Sequence, residues 1–298
     1  MGHSLVVATR GSALALAQVE LVKVALQRFA PDVHLRVKTI TTSGDRKHDI
    51  NPTPDPRAGL KGLFTKEIED EILSGGADIG VHSLKDLPGR LAPGLAITAV
   101  LERADPADVL IAKNVSTFDE LPSGATLGTS SVRRQRQLQC LRPDLRIEPI
   151  RGNVPTRIQK LRENAHLDGI VLARAGLERL GIACADLAIS ALAILPAIGQ
   201  GAIAVETCAD SAEISALLAR ISHPPTTLCI RAERELLRLL DGDCALPVGA
   251  ATALKNDRLR LEAVVFEAGE SLLLRASAEG DCTNPEAVAG EVFTALAR

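Results

Sequence analysis

Apolar and polar positions alternate with two different periods along the N-terminal third of the chain. Short runs rich in Val, Ile, Thr and Leu predict strands, whereas longer segments with apolar residues every three or four positions predict helices. The predicted strands are residues 5–9, 33–41, 79–82 and 95–101, and the predicted helices are residues 12–28 and 63–73. This β-α-β-α order predicts a parallel sheet with helices on its faces.

A polar segment interrupts the pattern between residues 42 and 60. It contains Pro52, Pro54 and Pro56 and shows neither of the two periods. We therefore expect a long and mobile loop at this point of the chain.

The same alternation starts again after a polar stretch at residues 102–107. The predicted strands are residues 109–112, 126–128, 146–150 and 170–173, and the helices between them are residues 132–141, 154–163 and 175–180. Two α/β halves of similar size follow from this repetition. The chain is expected to cross back near residues 195–201, so that residues 202–206 return as a strand to the first half.

The pattern changes after the break at His223-Pro224-Pro225. A helix at residues 226–240, strands at residues 248–254, 258–267 and 271–279, and a final helix at residues 285–297 predict a small α+β domain. The expected fold class is α/β, with two lobes of mixed, mostly parallel sheets and a small α+β C-terminal domain. The expected domains are residues 1–101 with 202–219, residues 107–196, and residues 223–298.

Composition narrows the class of protein. The chain has 298 residues, of which 46% are hydrophobic and 24% are charged, as expected for a globular protein. It has five Phe, no Trp and no Tyr, which argues against nucleic-acid binding by aromatic stacking. Its net charge of −3 gives no support for a general polyanion-binding protein. No apolar run approaches the ~18 residues of a membrane span, and the N-terminus does not resemble a signal peptide, so a cytoplasmic protein with no membrane partner is expected.

The cysteines predict neither disulfides nor a zinc site. The six cysteines are scattered, without a CxxC pair and without histidines at zinc spacing, at positions 140, 184, 208, 229, 244 and 282. In a reducing compartment most of them are expected to be buried free thiols. Cys244 differs because it lies in a Gly-rich turn, where a thiol can be a nucleophile or an attachment point. An ordinary loop cysteine is the alternative interpretation.

Arginines are concentrated at turns that lead from a strand into a helix. Residues 128–162 contain nine Lys or Arg and two Asp or Glu, although the whole chain is slightly acidic. Cations at a helix N-terminus are unfavourable unless an anion lies between them. The pattern predicts a cleft for a ligand with several carboxylates or phosphates, with a solvated helix face as the alternative for any single arginine. Neither GxxxxGK[ST] nor GxGxxG is present, so no nucleotide motif supports phosphate.

Lys85 and Asp86 directly follow a predicted buried strand, at the strand end where open α/β folds bind ligands. If this segment is extended, the two side chains point to opposite sides. One could then hold an anionic group while the other faces a cationic or N–H centre. A solvated charge pair on a turn is the alternative.

Several ordered motifs resemble those of the porphobilinogen deaminase (hydroxymethylbilane synthase) family, and they cover nearly the whole chain. They are Thr9-Arg10-Gly11-Ser12, Leu14-Ala15-Leu16 with Gln18, Lys61-Gly62-Leu63-Phe64, His82-Ser83-Leu84-Lys85-Asp86-Leu87-Pro88, Gly128-Thr129-Ser130-Ser131-Val132-Arg133-Arg134, Arg151-Gly152-Asn153-Val154, Leu195-Pro196-Ala197-Ile198-Gly199-Gln200-Gly201, and Glu233-Arg234 with Gly242-Asp243-Cys244. The resemblance implies two lobes like those of a periplasmic binding protein and a smaller third domain that carries a cysteine loop.

The resemblance also implies an activity, that of hydroxymethylbilane synthase. Such a transferase joins four porphobilinogens head to tail with loss of ammonia and releases hydroxymethylbilane by hydrolysis, in tetrapyrrole (haem and chlorophyll) biosynthesis. A dipyrromethane cofactor is implied, held through a thioether to Cys244. The implied partners are the substrate porphobilinogen and uroporphyrinogen-III synthase, which takes the product, and the implied state is a monomer without a metal.

Site residues are carried over from the matching motifs. The implied catalytic residue is Asp86. The implied cofactor-binding residues, besides Cys244, are Ser83, Lys85, Thr129, Ser131, Arg133 and Arg134. The implied substrate-binding residues are Arg10, Ser12, Gln18, Phe64, Arg151, Arg157, Arg179 and Gln200.

Two positions depart from the family pattern. Asp243 precedes the cysteine where the family usually has a small residue, and a neighbouring carboxylate disfavours the thiolate, so slower cofactor attachment is expected. Leu60 stands in a segment that is usually Gly-Gly, which is expected to stiffen the loop.

Two rival classes follow from the same residues. A non-enzymatic two-lobed protein could bind a small polycarboxylate in the same cleft, and it would not need Cys244. A nucleic-acid-binding module could use the helix that carries Arg133–Arg136, although the net charge and the scarcity of aromatic residues argue against it.

Overall fold

A computed structural model describes residues 4–46, 64–241, 247–266 and 273–297. Most of the predicted loop, including Leu60, lies outside the described residues, as do Lys61, Gly62 and Leu63 of the following motif and Asp243 and Cys244.

The strands and helices follow one another along the whole described chain. The strands are β1 (Ser4–Arg10), β2 (His34–Ile40), β3 (Ile79–Ser83), β4 (Leu95–Val100), β5 (Asp108–Ala112), β6 (Thr126–Gly128), β7 (Arg146–Glu148), β8 (Gly169–Ala173), β9 (Ala188–Ala191), β10 (Ile203–Cys208), β11 (Val248–Lys255), β12 (Arg258–Phe266) and β13 (Leu273–Asp281). The helices are α1 (Ala13–Gln27), α2 (Ser43–Arg46), α3 (Lys66–Leu73), α4 (Val132–Leu141), α5 (Val154–Glu163), α6 (Arg174–Arg179), α7 (Ala212–Ala219), α8 (Pro224–Leu239) and α9 (Pro285–Leu296), with a 3-10 helix at Leu84–Asp86.

The first two sheets have the same design. The first has the order β2-β1-β3-β10-β4, and the second has the order β7-β6-β8-β5-β9. In each sheet one strand is antiparallel to both neighbours, namely β10 in the first and β5 in the second. These are the strands that follow the two crossings between the lobes, so each crossing delivers a strand of reversed direction.

The third sheet is an antiparallel meander, β11-β12-β13, covered by α8 and α9. Each sheet has its own apolar core. In the first, Val7, Ile79 and Val205 pack with Val22 of α1, and in the third, Leu236 and Val292 pack with Leu261. The expected fold class of two mixed α/β lobes and a small α+β domain is therefore confirmed.

The two crossings run side by side. The Ala104 N–H donates to the Gly201 carbonyl at 3.1 Å, and the Leu101 N–H donates to the Ile203 carbonyl at 3.1 Å. The return of the chain into the first sheet at β10, between β3 and β4, was predicted and is confirmed.

Three local predictions need correction. Residues 43–46 form the short helix α2 inside the segment predicted as loop. Residues 188–191 form β9 and residues 212–219 form α7, and neither element was predicted. The Ala-rich sequence of β9 lacks a strand signature. The segment forms a strand because it pairs with β5, not because of its local propensity.

Candidate active site

Two cavities adjoin at the end of β3; among the described residues, the first is lined by both lobes and the second by the first lobe alone. The first, here called the arginine cavity, has a volume of about 100 Å³, and Arg134, Arg157 and Arg179 lie in its wall. The second, here called the Asp86 cavity, has a volume of about 90 Å³, and Arg10, Phe64 and Asp86 lie in its wall. Lys85 and Ser83 line both cavities, so the two spaces meet at the end of β3.

The 3-10 helix places Lys85 and Asp86, which corrects the expectation of an extended segment. Leu84 and Leu87, three residues apart, are both buried and lie in one apolar cluster, which favours a turn. The two charged side chains consequently line the same Asp86 cavity instead of pointing to opposite sides. Gly199 allows this packing: its φ is +72°, and a Cβ there would lie 2.2 Å from a Leu84 methyl carbon.

A buried carboxylate, Asp108, holds two of the predicted arginines. Arg133 donates to it from Nη1 at 2.7 Å, and Arg134 donates from Nε at 2.9 Å. Burial acts to raise the pKa of Asp108, but the charges of Arg134 and Arg133 outweigh it and hold this pKa well below its usual range. Asp108 is therefore a permanent counter-charge beneath the cleft.

Sequence reasoning missed Asp108. The residue begins β5, whose other members, Val109–Ala112, are all apolar and buried. A single carboxylate at the start of a fully buried strand was the available signal, because a buried charge requires partners. It was overlooked since the polar stretch before it ends at residue 107.

Gln200 joins the two lobes at this point. Its Nε2 donates to Asp108 at 2.9 Å and to the Pro106 carbonyl at 2.7 Å. Its Oε1 accepts a hydrogen bond from Lys85 Nζ at 3.2 Å. The amide thus links the cation at the end of β3 to the carboxylate in the second sheet.

The Lys85 ammonium is destabilised by its surroundings. Burial is the main cause that lowers its pKa, to about 8, and the charge of Arg134 lowers it further. Asp86 and Asp108 act in the opposite direction without restoring the usual value. A cation in this condition gains from a bound anion, because the anion replaces the hydration it has lost.

Arg157 and Arg179 complete the arginine cavity. Arg157 donates from Nε to the Gly152 carbonyl at 2.7 Å, and Arg179 donates from Nη2 to the Gly201 carbonyl at 2.6 Å. Burial lowers the pKa of both guanidinium groups, and for Arg157 the charge of Arg134 adds to it. Among the described residues, no Asp or Glu side chain lines this cavity. Its cations can therefore pair with the carboxylates of a ligand.

The wall of the Asp86 cavity is built around Arg10. The guanidinium pairs with Asp45 and lies over the Phe64 ring, 4.3 Å from its centroid. Burial acts to raise the pKa of Asp45, but Arg10 and Thr42 outweigh it and lower this pKa. Arg10 is thus held in place by a carboxylate on one side and an aromatic face on the other.

The remaining predicted residues near the cleft are held by hydrogen bonds to backbone or side-chain groups beside them. Ser12 caps α1 by accepting from the Ala15 N–H at 3.2 Å, and Gln18 donates to Ser83 Oγ at 2.8 Å. Ser131 caps α4 by accepting from the Arg134 N–H at 3.5 Å, and Thr129 Oγ1 accepts from the Ser131 N–H at 3.2 Å. Arginines therefore follow well-capped helix starts, as the sequence indicated.

Arg151 and Arg133 do not line either cavity. Arg151 is exposed and lines a separate surface hollow with Lys160 and Glu163. Arg133 lies behind Arg134, 5% exposed, and is bonded to Asp108 and to the Leu195 carbonyl. Their predicted roles toward ligands stay predictions.

No helix in the described part of the chain has the length and apolar content to cross a membrane. The same part of the chain contains no group of three or more His, Cys, Asp and Glu side chains arranged to hold a metal ion.

The fold and the cleft define a class: a two-lobed α/β protein with a third domain, whose inter-lobe cavity is lined by cationic side chains. Two family models then match the chain. The model described as porphobilinogen deaminase, dipyromethane cofactor binding domain, matches residues 5–216, and the model described as porphobilinogen deaminase, C-terminal domain, matches residues 227–297. The chain therefore belongs to the porphobilinogen deaminase family, which confirms the resemblance seen in the motifs.

Individual relatives agree. The chain is 46% identical over 297 residues to the porphobilinogen deaminase of Desulforudis audaxviator, covering 99% of this chain and 95% of the relative. It is 45% identical over 281 residues to that of Syntrophomonas wolfei, covering 94% of this chain and 90% of the relative.

Among solved structures, the chain is similar to the Bordetella pertussis BvgS periplasmic VFT2 domain, with a TM-score of 0.45 and 16% identity, covering 73% of this chain and 86% of that one. It is also similar to the methionine-binding protein MetQ, with a TM-score of 0.45 and 12% identity, covering 73% of this chain and 89% of that one.

Proposed function

We propose that this chain joins four porphobilinogen molecules head to tail, with loss of one ammonia per unit, and releases hydroxymethylbilane by hydrolysis. The observation that carries the proposal is the arginine cavity, in which Arg134, Arg157 and Arg179 face one another without a lining carboxylate among the described residues. Each porphobilinogen carries an acetate and a propionate, and these carboxylates can pair with Arg157 and Arg179, which bond to backbone carbonyls, whereas Arg134 already pairs with Asp108 behind the cavity. The family match over residues 5–216 supports the same activity.

The residues of the cleft fit a dipyrromethane cofactor. Arg134 and Lys85 supply cations for its carboxylates, and Ser83 supplies a hydroxyl beside them. When bound, this group supplies the pyrrole carbon to which the first substrate unit is joined. We assign Ser131 and Thr129 to the same site through the turn that orients Arg134, and Arg133 through the Asp108 pair. Cys244 is the proposed thioether anchor, and it lies outside the described residues.

Asp86 is the proposed catalytic residue. The aminomethyl group of the substrate is an ammonium ion at neutral pH, so ammonia leaves without a strong acid. What requires stabilisation is the azafulvenium cation that remains. A fixed carboxylate that accepts hydrogen bonds from pyrrole N–H groups stabilises that charge without reorganising, which is electrostatic preorganisation. Asp86 lines the same cavity as Lys85 and Arg10, which supports this role because both cations lie near the space in which the carboxylates of a pyrrole unit would bind.

Substrate carboxylates are assigned to the arginines around both cavities. We propose that Arg10, Arg157 and Arg179 hold the incoming unit or the elongating chain, because each side chain lines one of the two cavities. Ser12, Gln18 and Phe64 line the Asp86 cavity, and Gln200 positions Lys85. Arg151 is assigned to the chain once it extends beyond the arginine cavity.

The organisation around this activity is also proposed. The domains are residues 1–101 with 202–219, residues 107–196, and residues 223–298. The protein acts as a cytoplasmic monomer, and its product is the substrate of uroporphyrinogen-III synthase.

Intact-mass spectrometry tests the function directly. We expect the purified chain to carry an excess mass equal to a dipyrromethane, and we expect Cys244→Ser to lose it together with porphobilinogen consumption. Cys140→Ser is the matched control, because Cys140 is an exposed free thiol that lines neither cavity. An unmodified mass in a wild-type sample that also fails to consume porphobilinogen would favour the two-lobed binding protein instead.

A further inference from the structure

A buried polar cluster lies under α3, in the core of the first sheet. It consists of Glu69 on α3, His82 on β3 and Glu206 on β10, with Thr65 beside them at the start of α3. His82 Nε2 and Glu206 Oε2 are 3.2 Å apart. Glu206 is completely buried, and His82 and Glu69 are 4% and 7% exposed. None of the roles assigned to the cleft uses these three groups.

The register of the sheet brings the cluster together. His82 pairs with Ala204, and Glu206 pairs with Gly80, so the side chains of His82 and Glu206 share one face. The helix α3 packs on that face. Gly80 leaves the room that the cluster needs, because a Cβ there would lie 2.7 Å from His82 Nε2.

The polar atoms of the cluster are poorly satisfied. Both Glu206 carboxylate oxygens, Glu69 Oε1, His82 Nε2 and Thr65 Oγ1 are buried without a well-directed hydrogen bond among the described residues, although His82 Nε2 lies 3.2 Å from Glu206 Oε2 and Thr65 interacts with Glu69. Buried unpaired polar atoms are costly and infrequent, so five of them at one place require an explanation. A shared proton supplies one, because it turns an acceptor into a donor.

Charge counting leads to the same result. Two carboxylates and one imidazole face one another, and the other groups nearby provide little compensation. Arg234 of α8 interacts electrostatically with Glu206, but it donates to the carbonyls of Pro88 and Gly89. Cys208 is a further acid on β10, and burial and its acidic neighbours raise the pKa of its thiol. Asp70, the next residue on α3, adds a negative charge.

Two carboxylates and a neutral imidazole carry a charge of −2, so the cluster becomes neutral when it takes up two protons. We propose that Glu69, His82 and Glu206 hold two protons between them in the folded chain, and that the proton on Glu69 keeps α3 docked on the sheet. Burial and the charge of Glu206 raise the pKa of Glu69, as this arrangement requires. The proposal concerns the fold and does not depend on the proposed enzyme activity.

The position of α3 gives the cluster a consequence for the cleft. Phe64 and Thr65 immediately precede α3, and both line the Asp86 cavity together with His82. Loss of the Glu69 proton leaves an uncompensated negative charge in the core. The start of α3 then opens more often, and the wall of the Asp86 cavity opens with it.

The sign of the pH dependence follows from the raised pKa. The folded state keeps a proton on Glu69 at pH values where an unfolded chain has lost it, so docking is strongest at low pH. Protection declines as the pH rises from the ordinary glutamate range through the raised value, by up to about tenfold per pH unit for one proton.

Hydrogen exchange of the full chain tests this device. Amide exchange of residues 66–73 is measured by mass spectrometry between about pH 5 and about pH 9, corrected for the intrinsic pH dependence of exchange. We expect the opening constant of α3 to rise with pH in the wild type and to be flat in Glu69→Gln, so that this variant is better protected at high pH. Glu71→Gln is the control, because Glu71 lies on the same helix and pairs with Lys38 of β2; it should keep the wild-type slope.

An unchanged pH slope in Glu69→Gln overturns the proposal, and so does a flat wild type. If Glu69→Gln does not fold, the wild type alone decides the question by infrared spectroscopy. A protonated carboxyl C=O band that persists at neutral pH supports the proposal, and its absence overturns it.

Discussion

Lys85 follows a strand of the first sheet and Asp108 begins a strand of the second, and the side-chain amide of Gln200 bonds to both. The distances are 3.2 Å from Lys85 Nζ to Gln200 Oε1 and 2.9 Å from Gln200 Nε2 to Asp108. Asp108 in turn holds Arg133 and Arg134. One buried carboxylate therefore orients cations in both lobes, and its removal should be felt on both sides of the cleft.

Asp108→Asn should be strongly destabilising. It leaves Arg133 and Arg134 buried without their counter-charge, and breaking such a buried pair costs about 3–5 kcal/mol. The free energy of unfolding from denaturant titration measures the loss. Asp105→Asn is the matched control, since it breaks the partly exposed pair with Arg174 and should cost at most about 1 kcal/mol. Equal losses in the two variants would contradict the role given to Asp108.

The pH dependence of cofactor loading should report Lys85. Its pKa is lowered to about 8, so its ammonium charge is largely present below that pH and is lost above it. Binding of the cofactor carboxylates should weaken accordingly, and the rate at which the cofactor-free chain is loaded, followed by intact mass, should fall as the pH rises through about 8. In Lys85→Arg the falling limb should move to higher pH, because a guanidinium stays charged. A limb at the same pH in both proteins would assign the titration to another group.

Asp86→Asn should remove turnover and leave the fold intact. The amide keeps the shape but loses the fixed negative charge, so we expect a loss of about 10²–10³ in kcat, the scale for removing one preorganised electrostatic group. Single-turnover consumption of porphobilinogen measures the effect, and the thermal unfolding midpoint controls for folding. Asp45→Asn is a useful comparison, because it removes a carboxylate that pairs with Arg10 but does not line the Asp86 cavity. A folded Asp86→Asn enzyme with wild-type turnover would exclude the proposed role.

Arg134→Gln should block loading of the cofactor. Its guanidinium lines the arginine cavity, whereas Arg136 lies on the same helix and lines neither cavity. Intact mass should therefore show no dipyrromethane on Arg134→Gln and a full load on Arg136→Gln. A fully loaded Arg134→Gln chain would mean that other cations hold the cofactor carboxylates.

The sequence predicted most elements of the fold, because strands buried on both faces appear as short continuous apolar runs and helices as longer segments with apolar residues every three or four positions. It also predicted much of the cationic cleft, since Arg134 and Arg157 follow the capped starts of α4 and α5, whereas Arg179 ends α6, which has no side-chain cap. It did not predict that Arg151 lines another surface, because the exit direction of one turn residue depends on tertiary packing. Gly152, with φ +113°, shows how irregular that turn is.

Other parts of the site depended on contacts between distant segments. The turn at Lys85 and Asp86 is held by the close packing of Leu84 against Gly199. The neighbouring hydrogen bond joins Lys85 to Gln200, which is 115 residues later in the chain. The Glu69–His82–Glu206 cluster joins a helix and two strands that are separate in the sequence. Each of these residues has an ordinary sequence context, so no local pattern marks them.

The two crossings between the lobes run side by side, and Gln200 lies on one of them. A rotation of one lobe about these two crossing segments would change the separation of Lys85 and Asp108, which the Gln200 amide spans. The angle between the lobes and the distance between Lys85 and Asp108 therefore change together. The hydrogen bonds of Gln200 therefore couple the position of one lobe to a cation of the other.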